Sequence, residues 1–144
     1  MASRYDRRVT GIVEQDITMR CVDSLGRGHE LDTVFSYRQS DPFAVTITFM
    51  TPEGELPWTF SRDLLTRGLT DPVGEGDVRV APSIGEQGKA VVIIELSSPD
   101  GHLVTQARSQ DIRHFVTQST VVVPEGEESH YLRIDDMISQ LLAV

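Results

Sequence analysis

The side chains able to do chemistry are few and scattered. His29, His102, His114 and His130 are the candidate metal ligands or proton carriers. No two stand four apart and none neighbours a cysteine, so no metal-site spacing forms. They are expected to be surface or hydrogen-bonded residues. Cys21, the single cysteine, lies among apolar residues in MRCVDS. It precludes an intrachain disulfide and reads as a small buried hydrophobe rather than a reactive thiol. Nucleophilic catalysis needs an activated Ser or Cys beside a base, and no Gly-x-Ser-x-Gly elbow occurs. The paired acids Glu127-Glu128 and Asp135-Asp136 suit a solvated loop and a helix start better than acid–base work. Gly74-x-Gly76 precedes a strand rather than a helix, so it makes no phosphate cradle. No catalytic, metal or cofactor-binding residue is expected, and the chain is not expected to be an enzyme.

The elements that would position any site form one domain's worth of chain, 144 residues. Net charge is -9, from 22 acids against 13 bases, and Lys89 is the single lysine. This balance disfavours a broad phosphate-binding surface. Aromatics are 6% of the chain; without a basic groove they make no stacking platform for bases. The opening MASRYDRRVTG has no apolar core, so no secretory signal is expected. No apolar run reaches membrane-spanning length. The cytoplasm is the expected compartment. Residues 1–10, with Arg4, Arg7 and Arg8, read as a flexible basic arm, and residues 11–144 as the folded domain.

Alternation at period two marks seven strands. They are Gly11 to Asp23, Leu31 to Tyr37, Phe43 to Met50, Leu56 to Phe60, Asp77 to Ser83, Lys89 to Ser97, and His102 to Gln106. In the first, Val13, Gln15, Ile17, Met19 and Cys21 share the face expected to be buried. In the third, Phe43, Val45, Ile47 and Phe49 share one face. Trp58 shares a face with Leu56 and Phe60 and is expected in the core. Lys89 to Ser97, KAVVIIELS, looks buried on both faces and central. A short helix follows Phe60, with Ser61 as N-cap, Asp63 in its first turn and Gly68 ending it. Two further helices are expected over Ala107 to Ser119 and Ile134 to Leu142. Glu125 to Glu128 reads as an acidic loop. Strands followed by helices predict an α+β domain with a seven-stranded, largely antiparallel sheet, one short mid-chain helix and two C-terminal helices.

Three spaced motifs add to this. They are DPFAVTITF at Asp41 to Phe49, W-x-F-x-RDLL-x-x-GL at Trp58 to Leu69, and P-x-G-x-GDV-x-V-x-P at Pro72 to Pro82. Leu96-Ser97-Ser98-Pro99-x-Gly101, Phe115 and V-P-x-G-x-E at Val123 to Glu128 follow in order. In this order and spacing the chain resembles the SsgA-like family of actinomycete sporulation and cell-division proteins, over essentially Gly11 to Val144. The resemblance implies a non-catalytic regulator or scaffold of sporulation-specific septation, at the division septum. An SsgB-like branch of the family recruits the tubulin-like FtsZ with an SsgA-type partner, and the family coordinates septal wall synthesis. It also implies a Whirly-like fold, assembly as trimers, and no cofactor. A single-stranded nucleic-acid-binding module is the alternative on such a sheet, although the charge speaks against nucleic acid as a partner. Arg62, Asp63, Gly74 and Gly76 are the expected protein-interface residues, where apolar and Arg contacts would carry binding.

Overall fold

The computed structural model describes residues 6–9, 11–23 and 25–143. The order is β1 (Asp6–Val9), β2 (Ile12–Val22), β3 (Gly28–Arg38), β4 (Asp41–Thr51), β5 (Gly54–Ser61) and α1 (Arg62–Arg67). Then come β6 (Val73–Glu75), β7 (Val78–Ile84), β8 (Ala90–Ser98), β9 (Gly101–Arg108), α2 (Ser109–Val122) and α3 (Glu128–Leu142). All pairings are antiparallel, in the order β5-β4-β3-β2-β9-β8-β7-β6, with β1 alongside β2. The α+β class is as expected. The sheet, however, has eight strands along its path rather than seven, plus β1. The extra strand β6 is three residues long and hides in the turn-rich TDPVGEGD. It pairs with β7 through a two-residue loop in which Gly76 sits at φ +59°. A tight hairpin of the primed type needs that sign, and glycine adopts it freely. Of the basic arm, residues 1–5 and 10 lie outside the described residues.

The sheet is two halves with a narrow joint. β2 and β3 pair over their whole length, and β8 pairs with β7 and β9 similarly. Between β2 and β9 the register contains only Arg20 opposite Gln106 and Cys21 opposite Thr105. α2 packs against β2, β8 and β9 and so covers this joint. Its Ile112, Phe115, Val116 and Ser119 are buried, as the helical period predicts. Phe115 meets Phe35 of β3 edge-to-face at 5.5 Å, the geometry the ring quadrupoles favour. Val13, Ile17, Met19, Ile47, Val80, Val92 and Ile94 complete one continuous core.

Three strand expectations change in detail. The β3–β4 register shifts between Tyr37 and Arg38, so Tyr37 stands opposite Val45 but Arg38 opposite Asp41. The Tyr37 hydroxyl donates to the Pro42 carbonyl at 2.8 Å inside this irregularity. The bulge turns Pro42 inward and leaves Phe43 exposed, off the face of Val45, Ile47 and Phe49. β8 buries Val91, Val92, Ile94 and Leu96, while Ile93 and Glu95 are only half-buried. It is interior to its half of the sheet, not buried on both faces throughout. β5 is an edge strand; Leu56 is exposed and Trp58 half-buried against the core.

The helices also differ from expectation at their ends. Ser61 caps α1 as predicted, its hydroxyl accepting the Leu64 N–H at 3.4 Å. Gly68 does end α1, but in right-handed conformation, at φ −67°. Glycine is required there because a Cβ would overlap the Val80 side chain and crowd the Leu64 carbonyl at 3.1 Å. β9 runs through Arg108, so Ala107 belongs to the strand and α2 begins at Ser109. α3 begins at Glu128, six residues before the expected start, and takes in the end of the expected acidic loop.

Candidate functional site

Arg62 organises the helical side of the molecule. It directly follows the Ser61 cap, at the first position of α1, and is 2% exposed. Its Nη1 donates at the end of α2 to the carbonyl of Val123 at 2.8 Å and to that of Ser119 at 3.1 Å, which also accepts the Val123 N–H. Its Nη2 donates to Glu128 Oε2 at 2.8 Å, at the start of α3. The guanidinium lies over the Tyr37 ring, 4.6 Å from its centroid. One planar side chain thus joins α1, α2, α3 and β3, which the rigid fork of arginine suits and lysine does not. Burial opposes the Glu128 carboxylate. The Arg62 guanidinium and backbone N–H groups outweigh it and hold the carboxyl below its ordinary value. Burial pushes the Tyr37 phenol up to about 12.

The four expected interface residues do not form one surface. Arg62 faces inward. Asp63 is exposed and pairs with Arg67 one turn along, at 2.8 Å, a solvated pair of small energetic weight. Gly74 and Gly76 are exposed in the β6–β7 hairpin, against which α1 packs. Asp63 and the hairpin therefore remain surface features, and Arg62 is the interior tie beneath them. Glu128 and Tyr37, its partners, were not legible as such. An arginine is so seldom fully buried that nothing in RDLL signals it.

Against the sheet joint lies an open cleft of about 1060 Å³. Five carboxylates line it, Asp16, Glu30, Asp32, Glu86 and Asp111, against three cations, Arg20, Lys89 and Arg108. The balance is unfavourable for a phosphate backbone. His114 also lines it. The other histidines lie apart. His29 Nε2 contacts Asp23 Oδ2 at 2.8 Å, His102 Nδ1 contacts Ser97 Oγ at 2.9 Å, and His130 meets Tyr131 edge-to-face. Among the described residues no three His, Cys, Asp or Glu side chains gather where they could hold a metal. Cys21 is half-buried rather than fully buried.

The most distinctive surface is on α3. Tyr131 packs on the core and Glu128 is tied to Arg62, so the helix is held at its start. Further along, Met137, Ile138, Leu141 and Leu142 recur at helical spacing, and all are exposed. They are 59%, 47%, 68% and 80% exposed, so a stripe that reads as core in sequence is uncovered. The side chain of Ile134 lies outside the described residues. Contiguous exposed apolar surface of this kind marks interaction sites.

Fold and surfaces together define a class. The family described as "Streptomyces sporulation and cell division protein, SsgA" matches residues 31–128, and the chain belongs to that family. Among its relatives is the sporulation-specific cell division protein SsgB of Streptomyces coelicolor. It is 37% identical over 132 residues, covering 91% of this chain and 96% of the relative. SsgB of Kineococcus radiotolerans is 35% identical, covering 91% of this chain and 80% of the relative. Two solved structures are similar. One, described as "Mutations in SsgB correlate to longitudinal cell division during sporulation of Streptomyces coelicolor", has a TM-score of 0.78 at 35% identity. It is covered to 99%, with 90% of this chain. The other, an SsgA-like sporulation-specific cell division protein from Thermobifida fusca, has a TM-score of 0.84 at 29% identity. It is covered to 98%, with 93% of this chain. These relatives are named as cell-division proteins, and the family is one of sporulation and cell division. Among the described residues no helix is long and apolar enough to cross a membrane.

Proposed function

We propose that this chain is a non-catalytic scaffold of sporulation-specific septation that works by binding other proteins. It helps to localise or recruit FtsZ to the future septum, with an SsgA-type partner, and so coordinates septal wall synthesis. It acts from the cytoplasmic side of the septum, without inserting into the membrane. The observation that carries this reading is the uncovered apolar stripe of α3, on a chain of a cell-division family. A stripe of Met, Ile and Leu fits an interface better than solvent. In this reading it supports self-association, with the trimer and Whirly-like architecture implied by the family resemblance. Asp63 and the Gly74–Gly76 turn lie on a second surface open to partners. Arg62 contributes from beneath, by holding the start of α3 in place. The single-stranded nucleic-acid alternative finds no support in a cleft where carboxylates outnumber cations.

Co-sedimentation with assembled FtsZ from the same organism tests the reading, with and without the SsgA-type partner. The chain is expected in the pellet with the polymers in at least one of the two mixtures. Its absence from the pellet in both would count against FtsZ recruitment.

A further inference from the structure

The cleft beside the sheet joint contains a polar group whose bonding is incomplete. Gln15 of β2 is 6% exposed and lines the cleft. Its Nε2 donates to the Asp111 carbonyl at 3.1 Å, at the start of α2. That bond fixes the orientation of the amide, since the reversed amide would set two acceptors against each other. Oε1 is left buried without a hydrogen-bond partner, the only such side-chain atom among the described residues. A buried acceptor in this state has lost its hydration and calls for a donor.

The walls decide what kind of donor. β2 and β3 contribute Asp16 and Asp32, the β7–β8 connection contributes Glu86, and α2 contributes Asp111. Among the described residues no ion pair engages these carboxylates. The acidic excess of the cleft disfavours an anion, and no three ligands gather for a metal among the described residues. A cationic donor suits both the charge and the orphaned oxygen. A guanidinium suits them best, because its planar fork of N–H groups serves an amide oxygen and a carboxylate at once. The cleft, about 1060 Å³ and open, lies at the top of the range for small-molecule sites and has room for several residues of chain.

We propose that the cleft binds an extended, arginine-bearing peptide segment of a partner protein, whose guanidinium donates to Gln15 Oε1 and pairs with the Asp111 carboxylate. Asp16 and Asp32 offer charge for a second basic residue of the segment. Alternate residues of an extended chain point the same way, so two arginines spaced by one residue face the cleft together. No described residue of α3 lines the site, and the start of α3 is tied to the other end of α2. The contact is therefore separate from the α3 stripe.

Fluorescence anisotropy of the full chain tests this with a dye-labelled Thr-Arg-Thr-Arg-Thr peptide amide, beside the same peptide with glutamine in place of arginine. The arginine peptide should bind saturably, at least about tenfold tighter than its glutamine counterpart. Gln15→Leu keeps the bulk of the side chain but removes Oε1, and should weaken binding about tenfold, as should Asp111→Asn. Asp100→Asn removes the same charge in the β8–β9 turn, outside the cleft, and should change affinity less than about twofold. Equal losses for Asp111→Asn and Asp100→Asn would reduce the binding to a general attraction and overturn the proposal. Spermidine binding as tightly as the peptide would give the cleft to a small cation and overturn it too. A readout free of any variant is the NMR signal of the Gln15 side-chain amide. Saturation with the arginine peptide should shift it and leave α3 unmoved, and a Gln15 signal that stays in place contradicts the proposal.

Discussion

Asp23 and Arg62 show two ways in which single residues hold this molecule. Asp23 closes the β2–β3 connection. Its Oδ1 accepts the N–H groups of Leu25 and Arg27 at 2.9 Å, and its Oδ2 meets His29 and the Arg27 side chain. His29, then the Arg27 N–H, favour the carboxylate and lower its pKa from 3.8 to about 2. A carboxyl depressed in the folded state stabilises above its unfolded pKa and loses that contribution as protons bind. The turn should therefore be fully held above pH 3.8 and loosen as pH falls through about 2. A carboxyl-carbon NMR titration in which Asp23 titrates at 3.8 would contradict this. Arg62 acts from inside. Arg62→Ala strands the Val123 carbonyl, takes one of two donors from the Ser119 carbonyl and leaves Glu128 without its ion pair. Removing one partner of a buried pair costs about 3–5 kcal/mol. Chemical denaturation should show a loss of that size, and a loss near zero would mean that Arg62 is not the tie described.

At the scale of elements, the joint between α1 and β7 rests on the contact of Gly68 with Val80. Gly68→Ala forces a methyl against Val80 and should destabilise by about 1–3 kcal/mol through overpacking. Val80→Ala removes the obstacle, so the double variant should show a coupling of at least about 0.5 kcal/mol. Strict additivity in a denaturation cycle would show that the two do not touch. This pair also shows what sequence patterns carry and what they do not. Period-two alternation located β2, β3, β4, β5, β7, β8 and β9, and Ser61 marked the start of α1, because these signals are local. Gly68 was legible as a stop, but its partner Val80 comes from another strand. β6 was missed because three residues are too few for alternation. Phe43 changed face because a bulge adds residues that a strict period does not count. Tyr37, Arg62 and Glu128 meet only in three dimensions, so no spacing announces them. The α3 stripe was legible as apolar, while its exposure was not, since the same pattern describes a core-facing helix.

For the whole molecule the central question is what covers that stripe. Ile138→Glu with Leu141→Glu adds charge where the chain is already exposed. Surface changes of this kind usually stay within about 0.5 kcal/mol, so folding should be unaffected. Self-association should be lost, because charge is excluded from interface centres. Analytical ultracentrifugation should find the unaltered chain as an oligomer and the double variant at its chain mass of 16.0 kDa. Identical sedimentation of the two would remove the stripe from self-association.

The scaffold role itself is tested most directly by light scattering of FtsZ from the same organism, assembled with the SsgA-type partner. The chain is added either unaltered or as the Ile138→Glu, Leu141→Glu variant. The account predicts that the unaltered chain changes the scattering of the assembling polymers and that the equally stable variant does not. Traces from both chains that match FtsZ and partner alone would contradict it.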